Sequence, residues 1–285
     1  MSRVPHPRFT AALAALLLLV PAPLAAQKAP PPAAPAPPYA DLADLTVKAP
    51  MVIVATIHDA ARIKGPEAAN VAPGFTRYYL TVDVVALVRA PAATPAQIGY
   101  VFDVPLDPEG RAPKLKKSRV LLYARPIPNM PGRVQPVGPR AQIAWSPAAE
   151  ATARSLAAAF VAPDAPPAIT GIANAFHAAG TLPGEGETQI FLKTTGHPIS
   201  LSVQRKQGQS PVWSVSLSEV VEDALPAPKR DTFLWYRLAC GLPRTIPASL
   251  FDGVAPEDAA AVRADYALIL GGLGPCRISA GGGPG

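Results

Sequence analysis

Between residues 51 and 125 the apolar side chains recur in strand-like runs, and no segment of helical period separates one run from the next. Met51 to Ile57 is a compact β-branched run, and Arg77 to Val88 alternates over a longer stretch. Ile98, Tyr100, Phe102 and Val104 are spaced by two, and Asp107-Pro-Glu-Gly110 supplies a turn after them. Arg119 to Arg125 makes a fourth run, with short extended pieces at Val134 to Val137 and Gln142 to Trp145. Five or six strands without long helices between them cannot form parallel crossovers. The economical arrangement is an antiparallel β-barrel-like domain over residues 41–145, closed or half-closed.

At Ser146 the pattern changes. Serine is a good N-cap, Pro147 suits the first helical position, and an Ala-rich segment then runs to about Val161 before Pro163, Pro166 and Pro167. Three extended stretches follow, at Thr188 to Lys193, Ile199 to Arg205 and Val212 to Val215, predicting a three-stranded meander. Ser216-Leu-Ser-Glu219 is a capping-box pattern for a short helix. Asp231 is the expected cap of a helix through Trp235 to Gly241. A last helix is expected from Pro256 to Gly271-Gly272, with Val262, Tyr266 and Ile269 inward. Residues 146–279 therefore read as an α+β domain with several short helices, and the chain as α+β overall; the tail 280–285, AGGGPG, is expected to be disordered.

The N-terminus carries Arg3 and Arg8 without an acid, an apolar run from Ala11 to Val20, then Pro21 and Pro23 before Leu24-Ala25-Ala26. These are the three parts of a secretory signal peptide, with cleavage expected after Ala26. The run is about half of the ~20 residues that a spanning helix needs, so no membrane span is expected after cleavage. Residues 27–40 form a proline-rich linker, with six prolines between Gln27 and Pro38. An exported chain meets oxidising conditions in the periplasm or outside the cell. Its only two cysteines, Cys240 and Cys276, are therefore expected to pair. Loss of Arg3 and Arg8 lowers the formal net charge from +6 to +4, too mild to name a nucleic acid as partner.

The strings APMVIVATI at 49–57, YYLTVDVVALVRAP at 78–91 and RVLLYARP at 119–126 carry a resemblance. Their order is similar to that of small β-barrel modules of the oligonucleotide/oligosaccharide-binding or netrin-like type, found in many secreted bacterial proteins. The resemblance implies a binding or scaffolding module that contacts another envelope or secreted protein. It brings no fixed catalytic residues and no cofactor.

Catalytic strings are otherwise absent: there is no G-x-S-x-G, H-E-x-x-H, S-x-x-K or P-loop. The candidate polar cluster is His177, Glu185, Glu187 and His197, around a Gly- and Pro-rich loop. Converging, these residues would hold a zinc-like metal or act as an acid/base pair, making the chain an extracytoplasmic hydrolase or metal-dependent enzyme. Dispersed, they are a half-buried histidine, a turn histidine and solvated glutamates. Two further features have bland counterparts. The basic run Arg111, Lys114, Lys116, Lys117, Arg119 is either an anion-binding patch or a solvated loop, and Trp145, Trp213 and Trp235 are either sugar platforms or core anchors.

Overall fold

Both faces of the run Met51–Ile57 are needed, because it becomes the central strand of a sheet packed on each side. In the computed structural model the described residues are Met1, 37–218, 224–276 and 278–279. Residues 2–26 of the signal segment, residues 27–36 of the linker, Glu219 of the capping-box helix and the tail 280–285 lie outside them. The chain divides into the units Met1–Ala33 and Ala34–Gly285, and the second holds every element named below.

The first sheet consists of β1 (Met51–Arg62), β2 (Phe75–Arg89), β3 (Gln97–Pro105), β4 (Arg119–Pro126), β5 (Val134–Pro136) and β6 (Gln142–Ala144). Its order is β3-β2-β1-β4-β5, all antiparallel, with β6 also paired to β4. Three register shifts along β1 against β2 interrupt the ladder, and irregularities of this kind increase local bend and twist. The two end strands touch at one parallel bridge, Gly99 to Arg133, where Gly99 N–H donates to Gly132 C=O at 2.8 Å. One bridge is not a ladder, so among the described residues the sheet does not close into a barrel. Pro136 has no N–H to offer and helps to end β5 after three residues. Inside the curl, Ile53, Ile57, Leu80, Ile98 and Leu122 form one buried core. On the opposite face Val52, Val54, Leu121 and Tyr123 join a second core shared with the helices. This two-sided burial explains why Met51–Ile57 is continuously apolar rather than alternating.

The end of the expected linker, Tyr39 and Ala40, and the start of the expected β-barrel-like domain are instead a helix, α1 (Tyr39–Lys48). Ten residues would be a marginal helix in water, so tertiary burial of Leu42, Ala43 and Leu45 supplies its stability. Asp41 in its first turn pairs with Arg140 at 2.9 Å and accepts from Ser279 N–H at 2.8 Å. A second helix, α2 (Pro147–Val161), begins where the sequence placed it, with the Ser146 hydroxyl accepting from Ala149 N–H at 3.1 Å.

The second sheet has five strands, not three: β7 (Ile169–Ala179), β8 (Gly186–Thr194), β9 (Ile199–Arg205), β10 (Val212–Ser216) and β11 (Leu225–Pro226). They form an antiparallel meander in the order β11-β10-β9-β8-β7. The sequence did not announce β7, whose Ala-rich run ITGIANAFHAA has few residues favoured in strands. Its one face carries α3 (Phe233–Gly241) and α4 (Pro256–Leu273). The cap of α3 is Thr232, whose hydroxyl accepts from Trp235 N–H at 3.2 Å; Asp231 stands one residue earlier with a φ of 61°. Helix α4 passes the expected stop at Gly271-Gly272 and ends at Leu273, before Gly274 with a φ of 68°. The expected inner face of Val262, Tyr266 and Ile269 is buried. Cys240 and Cys276 are bonded, joining α3 to the chain just beyond α4. Trp235 reinforces the same junction by donating its Nε1–H to Leu273 C=O at 2.8 Å. Among the described residues no helix is long and apolar enough to cross a membrane.

Burial raises the phenol pKa of Tyr39, Tyr236 and Tyr266 to about 12, with Asp231 adding to the effect at Tyr39 and Asp44 at Tyr236. Tyr100 and Tyr123 are pushed up further by burial. Raised folded-state values mean that stability is fully present below the ordinary value of about 10 and declines as pH rises, because only the unfolded phenols ionise there. Alkaline titration should show these five tyrosines ionising together with unfolding. A tyrosinate absorbance change complete near the ordinary value in the folded protein would contradict this.

Candidate functional site

The four sequence-derived candidates do not converge. His177 lies on β7 opposite Thr188 of β8, on the side of the sheet that faces α4. Glu187 is the next residue along β8 and therefore faces the other side, where it accepts from Gln189 Nε2 at 2.5 Å. Glu185 belongs to the β7–β8 turn: its C=O accepts from Gly180 N–H and its carboxylate from Gln207 N–H. His197 is in the turn after β8, where its C=O accepts from Thr194 Oγ1 at 2.8 Å. His177 stands opposite Thr188 and His197 lies beyond Thr194, positions about 20 Å apart along β8 at the usual rise per strand residue, so the two histidines cannot share one ion. Among the described residues no group of three or more His, Cys, Asp or Glu is placed to hold a metal.

His177 belongs instead to a relay whose other members escaped the sequence reading. Thr188 donates its hydroxyl proton to Asp265 Oδ2 at 2.5 Å, and His177 Nδ1 lies 3.0 Å from the same Oγ1. Thr188 has a single hydroxyl proton, so His177 donates Nδ1–H to Thr188 Oγ1 and leaves Nε2 outside the relay. A Cβ at Gly186 would stand 2.8 Å from that Nε2, so glycine is needed beside it. Asp265 is fully buried and is also bound by the Arg205 guanidinium, with Nε to Oδ1 at 2.8 Å. This network ties α4 to β7, β8 and β9. One signal was available: Asp265 sits on the buried stripe of α4 between Val262, Tyr266 and Ile269, where a carboxylate requires a partner.

The basic run is partly neutralised in place. Arg111 pairs with Asp107 and Glu109, Lys116 with Asp59 at 2.5 Å, and Arg119 stacks on Trp145. Trp145 in turn donates Nε1–H to Glu150 at 2.6 Å, which, with Arg154, holds the Glu150 carboxyl below its ordinary pKa. Trp213 and Trp235 are buried, so neither offers an open face to a sugar.

A concavity lies on the first sheet, beside the seam between β3 and β5. It is a groove of about 520 Å³ lined by Arg77, Tyr79, Val101, Asp103, Arg133 and Gln135, among others. Arg77 is fixed by a two-pronged bond to Asp103, at 2.7 and 2.8 Å, and by Asn70 and the Glu67 C=O. Arg133 lies over the ring of Tyr79, 5.3 Å from its centroid. The Tyr79 hydroxyl occupies the space that any side chain at position 99 would need, which fixes Gly99 and brings the aromatic ring across β3. Gly99 turns its N–H away from β2 and towards Gly132. By the alternation of an antiparallel ladder, Val101 and Asp103 also turn their N–H and C=O away from β2, along the margin of the groove. Beyond the Gly99–Arg133 bridge a second cavity of about 310 Å³ is lined by Met51, Pro95, Ile127 and Met130. Compared with known proteins, the chain matches no family model, and no curated protein matches it.

Proposed function

We propose that this chain is an exported, non-catalytic binding module that holds an extended segment of another envelope or secreted protein in the groove beside β3. The observation that carries the reading is the outward backbone edge at Val101 and Asp103, set next to a guanidinium stacked on Tyr79. An extended polypeptide can satisfy a strand edge through its own backbone, and an acidic side chain on it would meet Arg133. The strand order β3-β2-β1-β4-β5, with parallel contact between its end strands, supports a module of the oligonucleotide/oligosaccharide-binding type. The Cys240–Cys276 bond supports an oxidising compartment.

A photo-crosslinking residue placed at Val101 in living cells is expected to give a discrete adduct with one partner, whereas the same residue at Val212, exposed on the second sheet, gives none. Arg133→Ala is expected to weaken binding of that partner about tenfold, the order for losing one hydrogen-bonded charge at an interface. No adduct from Val101, or one insensitive to Arg133→Ala, would refute the groove. A stoichiometric metal lost on His177→Ala would restore the enzymatic reading.

A further inference from the structure

Edge strands are liabilities that soluble proteins ordinarily blunt with charge, proline or shortness. Two of the four outermost strands here are treated in this way: β5 spans three residues and ends in Pro136, and β11 spans two and ends in Pro226. The outward edge of β3 borders the groove already described, carries Asp103 and ends in Pro105. The remaining one is β7. It is 11 residues long, contains no Lys, Arg, Asp, Glu or Pro, and among the described residues pairs only with β8.

Its last part is also regular. After two register shifts, Ala175 to Ala179 pair in order with Ile190 to Gly186. Gly180 N–H donates to Glu185 C=O, which sets the parity: Phe176 and Ala178 bond to β8, while Ala175, His177 and Ala179 turn N–H and C=O outward. The Asn174 side chain, accepting from Ala175 N–H at 2.9 Å, is consistent with that parity.

We infer that this edge is an interface for a second copy of the chain, the two β7 strands pairing antiparallel about a two-fold axis at His177. In this register His177 exchanges both backbone bonds with the partner's His177, and Ala179 N–H donates to the partner's Ala175 C=O. Phe176, 44% exposed and stacked on Phe191, falls opposite the partner's Ala178. A large ring thus meets a small side chain twice, once on each side of the axis. That self-complementarity, with no Lys, Arg, Asp or Glu anywhere along the strand, favours a second copy over an unrelated strand. Two five-stranded sheets become one of ten strands. The contact is small for a specific interface, so association is expected at about micromolar to tens of micromolar chain rather than below.

Sedimentation equilibrium of the full chain from ~1 to ~300 μM is the test. A monomer–dimer equilibrium is expected, with amide exchange at His177 and Ala179 slowing as concentration rises. Ala178→Lys places a charge against the partner's Phe176 and should weaken the dimer at least about tenfold. Its side chain lies on an exposed part of the strand, so folding, followed by circular dichroism, should be unaffected. Ala179→Pro removes an outward donor without removing a bond to β8 and should act in the same direction. A chain monomeric at every concentration overturns the inference, as does a dimer indifferent to Ala178→Lys.

Discussion

Arg205→Met is expected to cost about 3–5 kcal/mol of folding stability, the range for removing one partner of a buried ion pair. Arg205 itself retains about a third of its exposure, at 32%, whereas Asp265 has none. The loss therefore comes from the carboxylate, left between α4 and the second sheet with the Thr188 hydroxyl as its remaining bond in the relay. Replacing both residues, Arg205→Met with Asp265→Leu, removes the stranded charge and should recover most of the loss, so the two effects should be strongly non-additive. Denaturant unfolding of the two single variants and the double variant measures this. A cost for Arg205→Met within about 0.5 kcal/mol of zero, as for an ordinary surface substitution, would mean that the pair does not hold α4 in place.

Reduction of Cys240–Cys276 is expected to have an effect of similar size. The cysteines are 36 residues apart, for which loop-closure entropy gives about 4 kcal/mol, and measured bonds commonly deliver about 2–4 kcal/mol. For a chain of this size that corresponds to a fall in Tm of roughly 5–15 °C. The loop contains only the end of α3 but all of α4, so the loss should appear in the second sheet and its helices, where Trp235 already bonds to Leu273. Thermal unfolding with and without reductant, and of the Cys240→Ala/Cys276→Ala variant, gives the comparison. An unchanged Tm would assign the α3–α4 junction to packing alone.

Elements with strong local signals were legible in advance. Ser146-Pro147 opens α2 at the expected residue because the cap and the first-turn proline act within one turn of chain. Ile199 to Arg205 alternates over its whole length and is β9 without adjustment. The misses share a physical cause. Helix α1 is stabilised by burial of Leu42 and Leu45 against distant elements, and β7 is held as a strand by β8 although its own residues express little preference. The antiparallel strands of the first sheet were legible as alternation. Whether its last seam closes depends on where β5 diverges from β3, and no residue on either strand states that by itself.

The candidate site followed the same division. His177 was chosen for its residue type, and it does hold a specific hydrogen-bonded place. Its companions Glu185, Glu187 and His197 were chosen for nearness in sequence, which a strand undoes by sending adjacent residues to opposite faces and opposite ends. The true partners, Thr188, Arg205 and Asp265, are separated from one another by up to 77 residues. The sequence by itself determined the elements with local codes, the α+β class and the cysteine pair. Tertiary structure decided which faces meet, leaving one seam nearly closed and one long edge open, because pairing and burial are made between segments that carry no record of each other.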